Sequence, residues 1–433
     1  MAQGIQLTLF EEEAAPANKK MDTSSTFVDN LRLPVHRWFR YSAGFSATWA
    51  RSVMAREKAL GRSRVLDPFS GSGTVLLEAE AEGLESQGVE SHPLVGRIAQ
   101  AKLLWREKPS EFLQYGLDLL RKGRSVRCSS VRQYPRLLQQ CFTPECLVNL
   151  DALRSTWENR SDGSPFSRLT WLALISILRD CSPVGTAQWQ YILPSKSKIN
   201  VEQPFEAFER KLRIMAYDMA QRQKSVHGPA AVQHIEDARV SASVPESWAD
   251  LVISSPPYAN NYDYADATRL EMTFLGEINS WADLQTSVRS HLVRSCTQHV
   301  APIVKEVSHV LENPVLEPIR SEMIEVCGNL EEERKHHGGK KPYHAMIANY
   351  FLDMAAVWKR LRHSCRQGAR VCFVIGDSAP YGVYVPVEKW LGDLALGAGF
   401  NSYLFEKTRD RNVKWKNRKH RVPLHEGRLW VEG

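Results

Sequence analysis

The chain has 433 residues, 43% of them hydrophobic and 24% charged, ordinary proportions for a soluble globular protein with one large core or two to three smaller domains. A net charge of +7 suits a polyanionic partner. Eight scattered cysteines without a Cys-x-x-Cys pair predict reduced thiols in a cytosolic protein, with no zinc site and no disulfide framework, and the composition predicts neither a membrane span nor a signal peptide.

Residues 1–25 read as a flexible tail, polar and small from Glu11 to Lys20 and hydroxyl-rich from Asp22 to Thr26. Within it, Gln6-Leu7-Thr8-Leu9-Phe10 carries three large apolar residues that nothing nearby buries. The pentapeptide resembles the short peptide by which many bacterial proteins dock on the replication sliding clamp. The other reading is the start of an element that packs on the domain.

The aromatic stretch from Leu33 to Ser46 precedes a helical pattern over 47–60. It is either a hydrophobic clip over the next strand or a lid over a ligand, with Phe45 as an apolar wall. Arg64-Val65-Leu66-Asp67 then reads as a buried strand running into an acid. The tight turn Pro68-Phe69-Ser70-Gly71-Ser72-Gly73 follows, and then a helix from Thr74. Two glycines let backbone approach a ligand where a Cβ would clash. No lysine follows as in a phosphate loop, and Asp67 favours a cation such as an ammonium group over a phosphate. A second short strand ends in Glu90, at the spacing where nucleoside-binding folds hold the ribose hydroxyls. Strand, glycine turn, helix, strand and acid together describe a nucleoside pocket without a phosphate cradle.

From Ala99 to about Gln223 the pattern is helical and too long for one sheet crossover, which predicts an inserted helical subdomain over 99–230 as the candidate target-recognition unit. It carries a basic run that includes Arg121, Arg124 and Arg127, with no acid between them in sequence. It also carries a loop, Thr186 to Lys198, that interleaves amides, aromatics and lysines, Gln188 and Lys196 among them. Both suit phosphate or base contacts, and both suit an ordinary solvated surface. Val232 to Arg239 resumes the strand-then-acid pattern, putting Asp237 where an adenine amine would be held.

Trp248 to Ile253 reads as another buried strand, stopped by Ser254-Ser255-Pro256-Pro257-Tyr258. Such a turn leaves a hydroxyl, backbone carbonyls and an aromatic ring at the carboxyl end of a sheet strand, where open α/β sheets bind ligands. A second helical insertion is expected over 259–342, closing on a mobile basic loop with a glycine hinge, Arg334 to Lys341. Helix 343–361, strand 368–378, helix 387–396 and a final strand 424–431 complete the pattern. Between Lys407 and Arg421 lie eight basic residues against Asp410 alone. Lys414, Lys416, Arg418 and Lys419 are therefore the clearest electrostatic candidates for a nucleic-acid backbone.

Asp67-Pro68-Phe69-Ser70-Gly71-Ser72-Gly73-Thr74 together with Ser255-Pro256-Pro257-Tyr258 resembles the amino-methylating DNA methyltransferases, which transfer a methyl group from S-adenosylmethionine to cytosine N4 or adenine N6. The resemblance implies an α/β fold, a Rossmann-like seven-stranded sheet with helical insertions, formed by 26–98 and 231–433. It implies a cofactor site of Phe45, Asp67, Phe69, Gly71, Gly73, Thr74, Glu90 and Asp237, and catalytic work by Ser255, Pro256, Pro257 and Tyr258. No metal is implied. In that family Ser at the position of Ser255 is more typical of N4-cytosine enzymes. RNA base N-methyltransferases are similar in the first motif, but they more often carry Asn-Pro-Pro-Tyr followed by glycine, where Ala259 stands here. A catalytically silent nucleic-acid-binding protein is the non-enzyme alternative. The implied partners are double-stranded DNA and a cognate restriction enzyme, and the implied location is the bacterial cytoplasm, on the nucleoid.

Overall fold

The computed structural model describes residues 27–41, 44–126, 134–184, 198, 200–300, 307–339, 341–411 and 422–433. Seven strands form one sheet: β1 (Arg64–Asp67), β2 (Glu85–Val89), β3 (Val232–His234), β4 (Ala249–Ser254), β5 (Cys365–Gly376), β6 (Ser402–Arg411) and β7 (Leu424–Glu432). Their order is β3-β2-β1-β4-β5-β7-β6. The first five are parallel, and β7 lies antiparallel between β5 and β6. Both neighbours of β7 therefore run the same way, and β6 ends on the edge where β1, β4 and β5 end. This is the seven-stranded methyltransferase sheet expected from the motifs.

Alternation along the strands divides the core. Val65, Leu251, Ile253, Cys372 and Val374 pack under helices Ala47–Ala59 and Thr74–Glu82. Their neighbours Leu66, Val252, Val371, Phe373 and Ile375 pack under helices Tyr343–Ser364 and Val387–Gly397. Strand side chains alternate with period two, so both faces must be apolar when both are covered. Each such side chain fully buried contributes roughly 1.5–3 kcal/mol.

A third cluster joins helices Pro109–Ser125, Pro144–Arg160, Pro165–Ser176 and Pro204–Gln223. It is continuous with Val35, Trp38 and Phe39, with Leu77 behind the glycine turn, and with Leu270 and Phe274 from the segment after Tyr258. The segment 35–39 is anchored there by Asp218, which is fully buried. Asp218 accepts hydrogen bonds from the Val35 amide (3.3 Å), the Trp38 indole (3.0 Å) and the Arg37 guanidinium (2.6 and 3.0 Å). Val35 itself sits at φ +68, a conformation that costs a β-branched residue energy and that these contacts hold.

One expectation is corrected. Arg334, Lys335 and His336 form the last turn of the Arg320–His336 helix, not a mobile loop. Gly338 and Gly339 adopt φ +71 and +68, Arg334 Nε donates to the Gly339 carbonyl, and His337 stacks on Tyr381 at 4.3 Å. Basic side chains on a helix's final turn complement its dipole, which accounts for their clustering. Among the described residues no helix is long and apolar enough to cross a membrane, and the cysteines described are free and buried.

Candidate active site

The β1 turn is built against the end of β2. Gly71 and Gly73 adopt φ +52 and +89, which only glycine takes without strain, and Gly73 opens the Thr74–Glu82 helix. The Ser70 hydroxyl donates to Gln233 Oε1 (2.7 Å), tying the turn to β3. The Gly71 amide donates to Glu90 Oε2 (2.9 Å), and the His92 amide to Glu90 Oε1 (2.8 Å). The turn's amide thus binds the chain's own carboxylate, so it is not a phosphate cradle. Each Glu90 oxygen keeps a lone pair for a further donor. Burial pushes Glu90 up to about 7, against the pull of those amides.

Asp67 is almost fully buried, at 1% exposure. Its Oδ1 accepts from the Ser254 hydroxyl (2.6 Å) and the Phe69 amide (3.0 Å). Burial pushes Asp67 up to about 7, and those two hydrogen bonds only partly oppose it. The carboxyl therefore staples the two motifs together: one bond fixes its own turn, the other the end of β4.

At the second motif, the Ser255 hydroxyl donates to the Val374 carbonyl of β5 (3.2 Å). Its hydrogen is used within the protein, so toward a ligand Ser255 Oγ acts as an acceptor. The Pro257 carbonyl accepts from Tyr350 (2.8 Å), while the Pro256 carbonyl accepts no hydrogen bond among the described residues. The Tyr258 amide donates to the Tyr264 hydroxyl (3.4 Å), and Tyr264 meets Tyr262 edge-on at 4.6 Å. Beneath this loop Arg289, itself buried, forms a two-pronged pair with Asp263. Burial works against the Asp263 charge, but His299 and Arg289 hold its pKa down to about 2.

The two motifs share one cleft. Phe69, Gly71 and Glu90 line one side, Ser255, Pro257 and Tyr264 the other. His92 also lines it. Burial lowers its pKa to about 3, so the ring is neutral. His92 Nε2 and Thr268 Oγ1 share a hydrogen bond (2.8 Å).

The other predicted residues fall in varied places. Thr74 is the buried first residue of its helix. Phe45 packs in the core edge-on to Trp49 at 5.5 Å. Tyr41, four residues earlier, is the aromatic at the cleft; a Cβ on Gly71 would lie 3.3 Å from its ring. Asp237 is engaged by the Arg239 guanidinium, which also reaches Asp353 (3.0 Å). Arg121 pairs with Asp118, and Arg124 with Glu206 at 3.2 Å. The acids missing from their stretch of sequence come from the preceding helical turn and from a neighbouring helix. Arg127, Gln188, Lys196, Lys414, Lys416, Arg418, Lys419 and the Gln6 to Phe10 peptide lie outside the described residues. Tyr41, His92, Tyr350 and Arg411 were not singled out in the sequence. Tyr41 had a local signal in its aromatic stretch, and Arg411 was one of the eight basic residues of 407–421.

Residues 34–126, which hold the glycine turn and Glu90, match the family described as RMKL-like, methyltransferase domain. Over 431 residues the chain is 25% identical to the type II methyltransferase M.BsoBI of Geobacillus stearothermophilus, covering 90% of this chain and 82% of that protein. It is 23% identical over 401 residues to the type II methyltransferase M.AvaI of Anabaena variabilis, covering 87% and 81% respectively. It is 22% identical over 403 residues to the type II methyltransferase M.MvaI of Kocuria varians, covering 87% and 85%. No solved structure matches the chain. With the sheet order and the shared cleft, these matches make residues 34–126 a match to a methyltransferase domain and the chain as a whole a distant relative of type II methyltransferases.

Proposed function

We propose that the protein is an S-adenosylmethionine-dependent DNA methyltransferase that methylates an exocyclic amine of a flipped base, cytosine N4 fitting best. The observation that carries the reading is the single cleft lined by Glu90 and the glycine turn on one side and by Ser255 and Pro257 on the other. The groups there suit the cofactor: Glu90 has lone pairs for ribose hydroxyls, Phe69 offers an apolar face, and the turn lacks a phosphate cradle. When bound, S-adenosylmethionine supplies an activated methyl carbon on a sulfonium leaving group.

An exocyclic amine is a poor nucleophile because its lone pair is delocalised into the ring. Ser255 Oγ, with its own hydrogen used on Val374, and the Pro256 carbonyl would accept the two amine hydrogens. Bending them out of the ring plane localises the lone pair on nitrogen, and holding it in line with the methyl carbon contributes much of the rate. Tyr258 would stack on the base once it has left the helix. Val374 and Tyr350 fix the two halves of the turn, so the acceptors need not reorganise during the reaction.

The test is transfer of labelled methyl groups to unmethylated duplex DNA, with total RNA in parallel, followed by nucleoside analysis. N4-methylcytosine lost in Ser255→Ala is the expected result. N6-methyladenine would overturn the choice of base, and label confined to RNA would overturn the choice of substrate.

A further inference from the structure

Arg411 ends β6 on the same sheet edge as Ser255, although 156 positions of sequence separate it from that residue. Its guanidinium lies over the Tyr258 ring, 5.4 Å from the centroid. Two features fix it there. Nη1 donates to the Asp377 carbonyl (2.8 Å), and the side chain lies across Gly376, where a Cβ would come within 2.6 Å of Nη1 and 3.3 Å of Cδ and Cζ. Glycine at the end of a buried strand weakens it unless something must approach closely, and here Arg411 does.

We propose that Arg411 is the second wall of the target-base site, so that the flipped base enters between the Tyr258 ring and the Arg411 guanidinium. This rests on the methyltransferase reading above, in which Tyr258 stacks on the base. A base held between two flat groups separates them by about 7 Å, twice the stacking distance of ~3.4 Å. The guanidinium carbon now lies 5.4 Å from the ring centroid, and outward movement of this one long side chain opens the slot that a base needs. The direct cation–π contact given up is weak, about 0.5–1 kcal/mol at a partly exposed site. Base stacking on both faces replaces it, and guanidinium planes stack on bases as aromatic rings do. The hydrogen bond to the Asp377 carbonyl keeps Arg411 beside the site before the base enters.

The experiment uses the full chain and compares a duplex carrying its mapped methylation site with the same duplex lacking the target base at that site. Arg411→Ala should raise KM for the intact duplex by about tenfold, leaving kcat and S-adenosylmethionine affinity within about twofold, and should leave affinity for the abasic duplex unchanged. Arg411→Lys keeps the charge and loses the plane, and should fall between. Gly376→Ala, which pushes the guanidinium aside while retaining it, should weaken binding of the intact duplex in the same direction. Unchanged KM and affinity for the intact duplex in Arg411→Ala would overturn the proposal, because Arg411 would then only fill the site that the base takes. An equal loss of affinity for the abasic duplex would also overturn it, making Arg411 a phosphate contact. A parent protein that binds cofactor but methylates no DNA would sink the methyltransferase reading itself, and this inference with it.

Discussion

The Ser255 hydroxyl donates to Val374 and can meet a substrate amine only as an acceptor. Ser255→Ala should therefore lower kcat by about 100-fold or more while leaving S-adenosylmethionine affinity unchanged, as calorimetric titration would register. Glu90 carries a different load. Its two oxygens already hold the Gly71 and His92 amides, so Glu90→Gln replaces one acceptor by a donor facing an N–H. Cofactor affinity should fall at least tenfold, the loss expected for a charge-assisted hydrogen bond of about 1.5–3 kcal/mol. Tight binding by that variant would remove Glu90 from the cofactor site. Both positions were legible in sequence, because each directly follows the carboxyl end of a strand. Phe45 and Asp237 were harder to read. Phe45 sits in an aromatic-rich stretch, and only packing decides that it faces Trp49 while Tyr41 faces the cleft. Asp237 lies three residues beyond the end of β3, and Arg239 takes its carboxylate.

Among the elements, segment 34–41 depends most on distant support. Asp218, on the Pro204–Gln223 helix, holds Val35, Arg37 and Trp38, and through them the approach of Tyr41 to the glycine turn. Asp218→Ala leaves the buried Trp38 indole N–H and the Val35 amide without their acceptor, so the fold should lose about 2–5 kcal/mol in urea denaturation. S-adenosylmethionine affinity should weaken in step. Unchanged cofactor affinity in a destabilised variant would detach this segment from the site. The helical stretch 99–223 was visible from its periodicity. Its shared core with 35–39 and with Leu270 was not, since contacts across more than 100 residues leave no local pattern. The basic run at 334–336 shows the reverse error, where a charged stretch beside glycines suggested a loop and a helix simply ran on to its dipole-favoured end.

For the whole molecule, two buried carboxyls set a pH dependence. Burial raises Asp67 and Glu90 to about 7 from ordinary values of 3.8 and 4.5. Between about pH 4 and pH 7 the folded chain keeps protons that the unfolded chain has released, so their contribution to stability declines as pH rises through that window and is level above it. Compared with Asp67→Asn, the parent's urea midpoint should drop more steeply from pH 5 to pH 8. A parallel pair of profiles would mean that Asp67 is ionised in the fold throughout.

By itself the sequence determined six of the seven strands and the two turns that follow β1 and β4, while β6 lay hidden in what read as a basic segment. Apolar runs of four to six residues, glycines at positive φ and prolines after a strand act within a few residues, where covalent geometry and sterics decide the outcome. Only the tertiary structure decided what surrounds them: Ser254 on Asp67, Tyr350 on Pro257, Asp218 under the aromatic segment and Arg411 over Tyr258. Those partners converge because a parallel sheet gathers strand ends from distant parts of the chain onto one edge, and nothing in the spacing of residues encodes which side chains meet there.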